Sequence, residues 1–287
     1  MIECTTVALT AADGYVLAAK RYVSAQATTR ARLLIAGATG VPQGFYRRFA
    51  EFAADQGFDV LTLDYRGIGE SAPESLIGFS MDYRDWARYD LAAAVAAHHS
   101  DAMPLVLVGH SYGGHAIGML PNHDLISAVY TFATGAGWHG WMPLLERWKA
   151  WFMWNVLGPV LTRKYQYLPG RRLGLGEDMP LAVFKQWRRW CSYPNYFFDD
   201  PELPGVAELY AAVKIPMVAA NATDDWWALP RSRNAFMAYY RNAPMIGLDI
   251  DPRQIGLKHI GHMGYFRSQA QSLWQPALDW LMQHAKH

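Results

Sequence analysis

The chain has 287 residues, 52% hydrophobic and 18% charged, with a formal net charge of +1. This suits a well-packed globular protein of a size that α/β folds reach as one unit, and it leaves no global electrostatic case for binding nucleic acid. The two cysteines, Cys4 and Cys191, are far apart and match no metal or redox spacing, so a reduced, cytoplasmic protein is the simpler reading.

Met1-Ile2-Glu3-Cys4-Thr5-Thr6 carries neither the basic start nor the apolar core of a secretory signal. Thr5–Thr10 and Val16–Tyr22 flank Asp13-Gly14, a hairpin signal. Arg32–Ala36 reads as a buried strand ending in the turn Gly37-Ala38-Thr39-Gly40. A helix is expected from about Gly44 to Gln56, stopped by Gly57, then a strand at Phe58–Asp64. Met81–His99 has helical periodicity, with Trp86, Tyr89, Ala93 and Ala96 on one side. The apolar run Leu105–Val108 leads into Gly109-His110-Ser111-Tyr112-Gly113. A G-x-S-x-G pattern directly behind a buried strand predicts a strand, a very tight turn with an outward serine, then a helix. Small residues are needed two positions either side of the serine, where strand and helix come too close for side chains. Ile126–Phe132 is the next strand.

The alternation then stops. Residues 135–205 carry Trp138, Trp141, Trp148, Trp151, Trp154, Trp187 and Trp190, broken by Gly and Pro. Glu146, Arg147 and Lys149 interrupt the apolar stretch near 138–157, and nowhere does the chain reach membrane-spanning length. Strands resume at Ile215–Ala220 and Met245–Asp249, with helices near Arg231–Arg241 and Ser268–His284. Strands alternating with helices predict an α/β fold, a mostly parallel sheet covered on both faces. The expected organisation is a core of residues 1–134 and 206–287 with a helical cap inserted at 135–205, since long insertions at the carboxyl ends of strands border ligand sites.

A serine hydroxyl is a poor nucleophile near neutral pH. It needs an imidazole to take its proton, and the imidazole needs a carboxylate to orient it. The expected order is Ser, then Asp or Glu, then His. Ser111 is the nucleophile. The acid falls in Asn221–Pro230, where Asp225 is favoured over Asp224, and Asp249 and Asp251 read as turn and strand-end residues. The base is His262, between Gly261 and Gly264, with His259 as its rival. His110 and His115 read as packing or surface groups. Two backbone N–H groups should hold the anionic oxygen of the intermediate: that of Tyr112, and that of Ala38, with Thr39 as the other candidate. No cofactor and no metal is required.

Together these residues resemble the α/β-hydrolase superfamily over nearly the whole chain apart from the insertion. Asp64-Tyr65-Arg66-Gly67-Ile68-Gly69-Glu70-Ser71 resembles the D-x-R-G-x-G-x-S loop of its esterase and lipase branches, for which the resemblance implies a structural role in shaping the pocket wall. Gly261–Phe266 resembles bacterial predicted hydrolases near the serine-aminopeptidase-like and monoacylglycerol-lipase-like groups. Ala36-Gly37 stands where the wider family has His-Gly.

The expected function is a serine hydrolase cleaving a carboxylic ester through an acyl-enzyme on Ser111. Acyl transfer, thioester or amide hydrolysis would use the same residues, and a non-catalytic ligand-binding protein is the rival from another class. The insertion is aromatic and basic: Arg147, Lys149, Arg163, Lys164, Arg171, Arg172, Lys185, Arg188 and Arg189 face Glu146, Glu177 and Asp178. For each aromatic the default reading is packing, and for each cation solvent. The sharper expectations are an apolar pocket for a small-molecule ester with an acyl or aromatic group, or a basic face that holds an anionic group or touches an anionic membrane surface. Nucleic acid is not an expected partner, and the oligomeric state stays open.

Overall fold

The computed structural model describes residues 1–285; the last two residues of the expected core, 286–287, lie outside the described residues. The strands in chain order are β1 (Ile2–Thr10), β2 (Val16–Ser24), β3 (Ala31–Ala36), β4 (Phe58–Leu63), β5 (Leu105–His110), β6 (Ala128–Phe132), β7 (Tyr167–Leu168), β8 (Met179–Pro180), β9 (Met217–Ala222) and β10 (Met245–Ile250). Eight of them form one sheet in the order β1-β2-β4-β3-β5-β6-β9-β10. The β1–β2 and β2–β4 pairs are antiparallel and the others parallel. This is the α/β-hydrolase fold expected from the sequence.

Burial explains the strand sequences. Every residue of β4, β5, β6 and β9 is buried, as expected of strands with both faces covered, whereas the edge strands β1 and β10 are largely exposed. Along β5 the side chains alternate between two cores, Leu105 and Leu107 on one face and Val106 and Val108 on the other. In the parallel register Ala36 lies beside Gly109 and His110 beside Phe132, so β3, β5 and β6 end together along one edge of the sheet. The turn after β3, the serine turn after β5 and the acidic loop after β9 all leave from that edge.

Two helices start differently from the sequence reading. The segment expected to be helical from Met81 begins at Trp86, with a wide π turn over Trp86–Leu91 followed by Ala92–His98. The preceding backbone is committed elsewhere: the N–H of Asp82 donates to the Asp85 carboxylate at 2.8 Å and that of Tyr83 to the side chain of Gln186 at 2.7 Å. A 3₁₀ turn at Gln43–Tyr46 opens the helix Arg47–Asp55, because the N–H of Gln43 is held by the Asp64 carboxylate at 2.6 Å. The helix Val206–Ala212 was not anticipated.

Between β6 and β9, which pair directly, the chain adds no strand to the sheet. It forms a continuous helical run over residues 144–165, the short ladder β7–β8, and the helix Leu181–Trp190. One backbone bond ties this segment to the turn after β3: Glu177 N–H donates to the Gly40 carbonyl at 2.7 Å.

The tightest packing lies at the serine turn. A Cβ on Gly109 would sit 2.9 Å from the Gly113 carbonyl carbon, and one on Gly113 would collide with the carbonyl oxygen of Ala36. Since the obstacle is sheet backbone, it cannot rotate away. Gly113→Ala should therefore destabilise the fold by about 1–3 kcal/mol, the usual range for overpacking. Urea unfolding checks this, and an unchanged midpoint would contradict the packing described.

Candidate active site

β5 ends in Gly109-His110, and Ser111 turns the chain at φ 52° and ψ −105°. For a residue with a Cβ this is a strained backbone, held only where its surroundings over-determine it. Here they do. Ser111 N–H donates to the Phe132 carbonyl at 2.9 Å, and the Ser111 carbonyl accepts from the Thr134 hydroxyl and the Gly114 N–H, each at 3.0 Å. The helix Tyr112–His115 starts immediately after.

Ser111 Oγ lies 3.0 Å from His262 Nε2. The other ring nitrogen, Nδ1, faces both oxygens of Asp225, at 3.0 and 3.1 Å. A carboxylate can only accept, so Nδ1 carries the proton and Nε2 is left as the acceptor for the serine hydroxyl. Asp225 is fully buried, and it also accepts from the N–H groups of Trp227 and Ala228, both at 3.1 Å. The Tyr265 hydroxyl adds a longer contact at 3.4 Å. Burial and the neighbouring Asp225 charge hold the Tyr265 phenol well above its ordinary pKa, so it keeps its proton.

The rival residues have other tasks. Asp224 accepts from the N–H groups of Ile260 and Gly261 at 3.0 and 3.1 Å and pairs with the exposed His259. It therefore pins the loop that carries His262. Gly261, at φ 55°, is the residue of that loop that takes the left-handed conformation. Asp249 pairs with Arg233, and Asp251 caps the turn Pro252–Ile255.

The turn after β3 departs from expectation. Ala38 N–H donates to the Tyr46 hydroxyl at 2.8 Å, so the expected oxyanion donor is already engaged. The cause is a tyrosine eight residues later that reaches back under the turn. Tyr46 is in turn 2.9 Å from His110 Nδ1, and His110 Nε2 is 2.8 Å from the carbonyl oxygen of His262. The direction of this chain is fixed because the carbonyl at its end can only accept. His110 donates through Nε2, Tyr46 donates to Nδ1, and Ala38 donates to the Tyr46 oxygen. His110 is thus neither a surface group nor simple packing: it joins the β3 turn to the backbone of the residue facing Ser111. Burial pushes its pKa down to about 3, which keeps it neutral. His115 is also buried, donates to the Gly135 carbonyl at 2.9 Å, and is pushed down to about 4. The N–H groups of Thr39 and Tyr112 make no hydrogen bond among the described residues.

A cleft of about 270 Å³ opens at this point, with Ser111 and His262 on one side and Leu175, Trp187, Tyr196 and Trp227 on another. No residue of the Asp64–Ser71 loop lines it. That loop braces the sheet instead: Arg66 binds Asp90 and Asp13, and Ser71 Oγ donates to the Asp64 carbonyl at 2.7 Å. The charge of residues 135–205 is less one-sided than expected, because Arg189 is paired with Asp200 and Glu202 and Arg171 with Glu177. Cys4 is exposed, Cys191 is buried, and the two are not joined. Among the described residues no three His, Cys, Asp or Glu side chains gather as a metal-binding group.

Residues 33–272 match the family model described as the alpha/beta hydrolase family. Solved structures share the fold at low identity. A soluble variant of monoglyceride lipase from Saccharomyces cerevisiae, in complex with a substrate analogue, superposes with a TM-score of 0.68 at 15% identity, covering 99% of this chain and 97% of that one. An esterase from Pyrococcus furiosus gives 0.63 at 14%, covering 99% and 94%. Brefeldin A esterase, described as a bacterial homologue of human hormone-sensitive lipase, gives 0.63 at 16%, covering 99% and 77%. No curated protein sequence matches the chain. With the family model spanning most of its length, this chain belongs to the α/β-hydrolase family.

Proposed function

We propose that the protein is a serine hydrolase that cleaves a carboxylic ester through an acyl-enzyme on Ser111. The observation that carries this reading is the unbroken line from Ser111 Oγ through His262 to the buried Asp225, at 3.0 Å for each step. The cleft beside it has an apolar, aromatic wall suited to an acyl or aromatic group. That structural neighbours include esterases and a lipase agrees with it.

Each residue then has a defined part. Ser111 Oγ attacks the ester carbonyl while His262 Nε2 takes its proton. The tetrahedral intermediate collapses, and the same proton passes to the departing alkoxide, which leaves as the alcohol. Water, deprotonated by His262, attacks the acyl-enzyme, and the acid is released with Ser111 restored. Asp225 orients the imidazole and stabilises its charged form. The Tyr112 N–H and, in place of Ala38, the Thr39 N–H are the donors for the developing oxyanion. Residues 135–205 act as a cap that supplies the aromatic wall.

Ser111→Ala should lower turnover of p-nitrophenyl esters by about three orders of magnitude and abolish labelling by a fluorophosphonate probe. Labelling that persists in the variant would refute the nucleophile assignment. His110 is a positioning residue rather than a group that touches substrate. His110→Phe should reduce kcat roughly tenfold or more with little change in KM, because the His262 backbone loses its anchor. His110→Gln, which keeps a donor near the former Nε2, should recover part of that loss. Equal damage from both variants would argue for packing alone.

The buried histidines also set a pH dependence of stability. His110 and His115 stay unprotonated when folded down to about 3 and about 4, whereas unfolded they take up protons near 6.5. Between those limits these two groups bind more protons in the unfolded chain, so their contribution to stability is complete above about pH 6.5 and falls as pH drops through the window. The slope is on the order of 1.4 kcal/mol per pH unit for each imidazole. Urea unfolding at a series of pH values should show a shallower decline in His110→Gln than in the wild type, and parallel curves would contradict this account.

A further inference from the structure

The helical run over residues 144–165 leaves an apolar face in solvent. Leu144, Leu145, Trp148, Trp151, Phe152 and Val160 are all exposed, Trp148 to 61%. They recur at the spacing of one helix face, while Ala150 and Trp154 face inward and are buried. Surface apolar residues scattered singly need no explanation, but a contiguous stripe with two tryptophans and a phenylalanine does. The charges of the run are lopsided as well. Arg147, Lys149, Arg163 and Lys164 are exposed, and Glu146 is its single acid, already paired with Lys149.

Just behind the stripe is a second cavity of about 320 Å³, lined by Trp154, Asn155, Lys185 and Arg188 among others. Lys185 and Arg188 make no ion pair among the described residues. Two cations without a carboxylate partner at one groove, Arg188 held only by a 3.4 Å bond to Asn155 Oδ1, fit an anionic oxygen group.

We propose that this face docks on an anionic lipid surface. The run lies in the headgroup region with its apolar stripe down, and the groove at Lys185 and Arg188 takes an anionic headgroup. No helix among the described residues is long and apolar enough to cross a membrane, so the geometry is that of an element lying on the bilayer. A second copy of the chain fits the same stripe poorly, because pairing would set Arg147, Lys149, Arg163 and Lys164 against their own counterparts with one acid per copy to offset them. The docked helix backs directly onto the cleft: the Trp154 ring packs on Trp187 at 4.8 Å between centroids, and Trp187 lines the cleft beside Ser111.

The test is cosedimentation of the full chain carrying Ser111→Ala with two kinds of vesicle, phosphatidylcholine alone and phosphatidylcholine with about 30% phosphatidylserine. This variant makes the result independent of whether Ser111 is the nucleophile. Binding to the anionic vesicles should be roughly tenfold tighter and should weaken with salt. Adding Trp148→Ser and Phe152→Ser should cost roughly tenfold or more on both vesicles, and Arg163→Glu with Lys164→Glu should bring anionic binding down to the neutral level. Unchanged melting temperatures show that these exposed changes leave the fold intact. Lys185→Ala with Arg188→Ala should weaken anionic binding severalfold, and no change there overturns the headgroup seat. No vesicle binding, or equal binding to both vesicles, overturns the docking proposal. So does a dimer in sedimentation equilibrium that the Trp148 and Phe152 changes dissociate.

Discussion

The geometry of the site depends on how residues 259–262 are held, and two dipeptides hold them. Ser111 meets the ring of His262 while its neighbour His110 takes the His262 carbonyl. Asp225 takes the other side of the ring while its neighbour Asp224 takes the backbone N–H groups of Ile260 and Gly261. Consecutive residues in a turn point in different directions, so a single short segment can contact both a side chain and the main chain that carries it. A serine–imidazole contact is useful only within a fraction of an ångström, and a loop with no regular structure does not reach that precision alone. Anchoring the loop to the ends of β5 and β9 lends it the rigidity of the sheet.

The same arrangement fixes protons as well as atoms. Buried polar chains are costly unless every member is satisfied, and in this one each donor finds an acceptor from Ala38 through Tyr46 and His110 to the His262 carbonyl. Because a carbonyl closes the chain, one tautomer of His110 satisfies it. Burial removes the alternative of protonation. A charged imidazole next to His262 would oppose the positive charge that the proposed mechanism requires His262 to take up. A neutral one leaves the Asp225 carboxylate as the dominant nearby charge.

Much of this was legible in the sequence for local reasons. Gly109, Ser111 and Gly113 could be recognised because the serine turn imposes small residues at fixed offsets, and Asp225 and His262 because chain order and the loops after β9 and before the last helix constrain them. Asp224 and Asp225 are adjacent, and composition does not say which turns inward; only the fold of the loop does. The engagement of Ala38 was not legible, since it depends on Tyr46 arriving from a separate helical turn at one particular depth. His110 was passed over for the same reason: its partner lies 152 residues away. The helix expected from Met81 starts late because Tyr83 gives its N–H to Gln186, again a contact that no local pattern announces. The charge of residues 135–205 was overstated because Asp200 and Glu202, which neutralise Arg189, lie at its far end.

The bond from Glu177 to Gly40 joins the two sides of the cleft at their rim. A Cβ on Gly176 would strike the same Gly40 carbonyl, so the two backbones touch without intervening side chains. The segment around Leu175 therefore cannot lift away from the opening without first surrendering a main-chain bond to the strand turn that carries Thr39. Any displacement of that edge is thus passed directly to the turn after β3 and so to the Thr39 N–H.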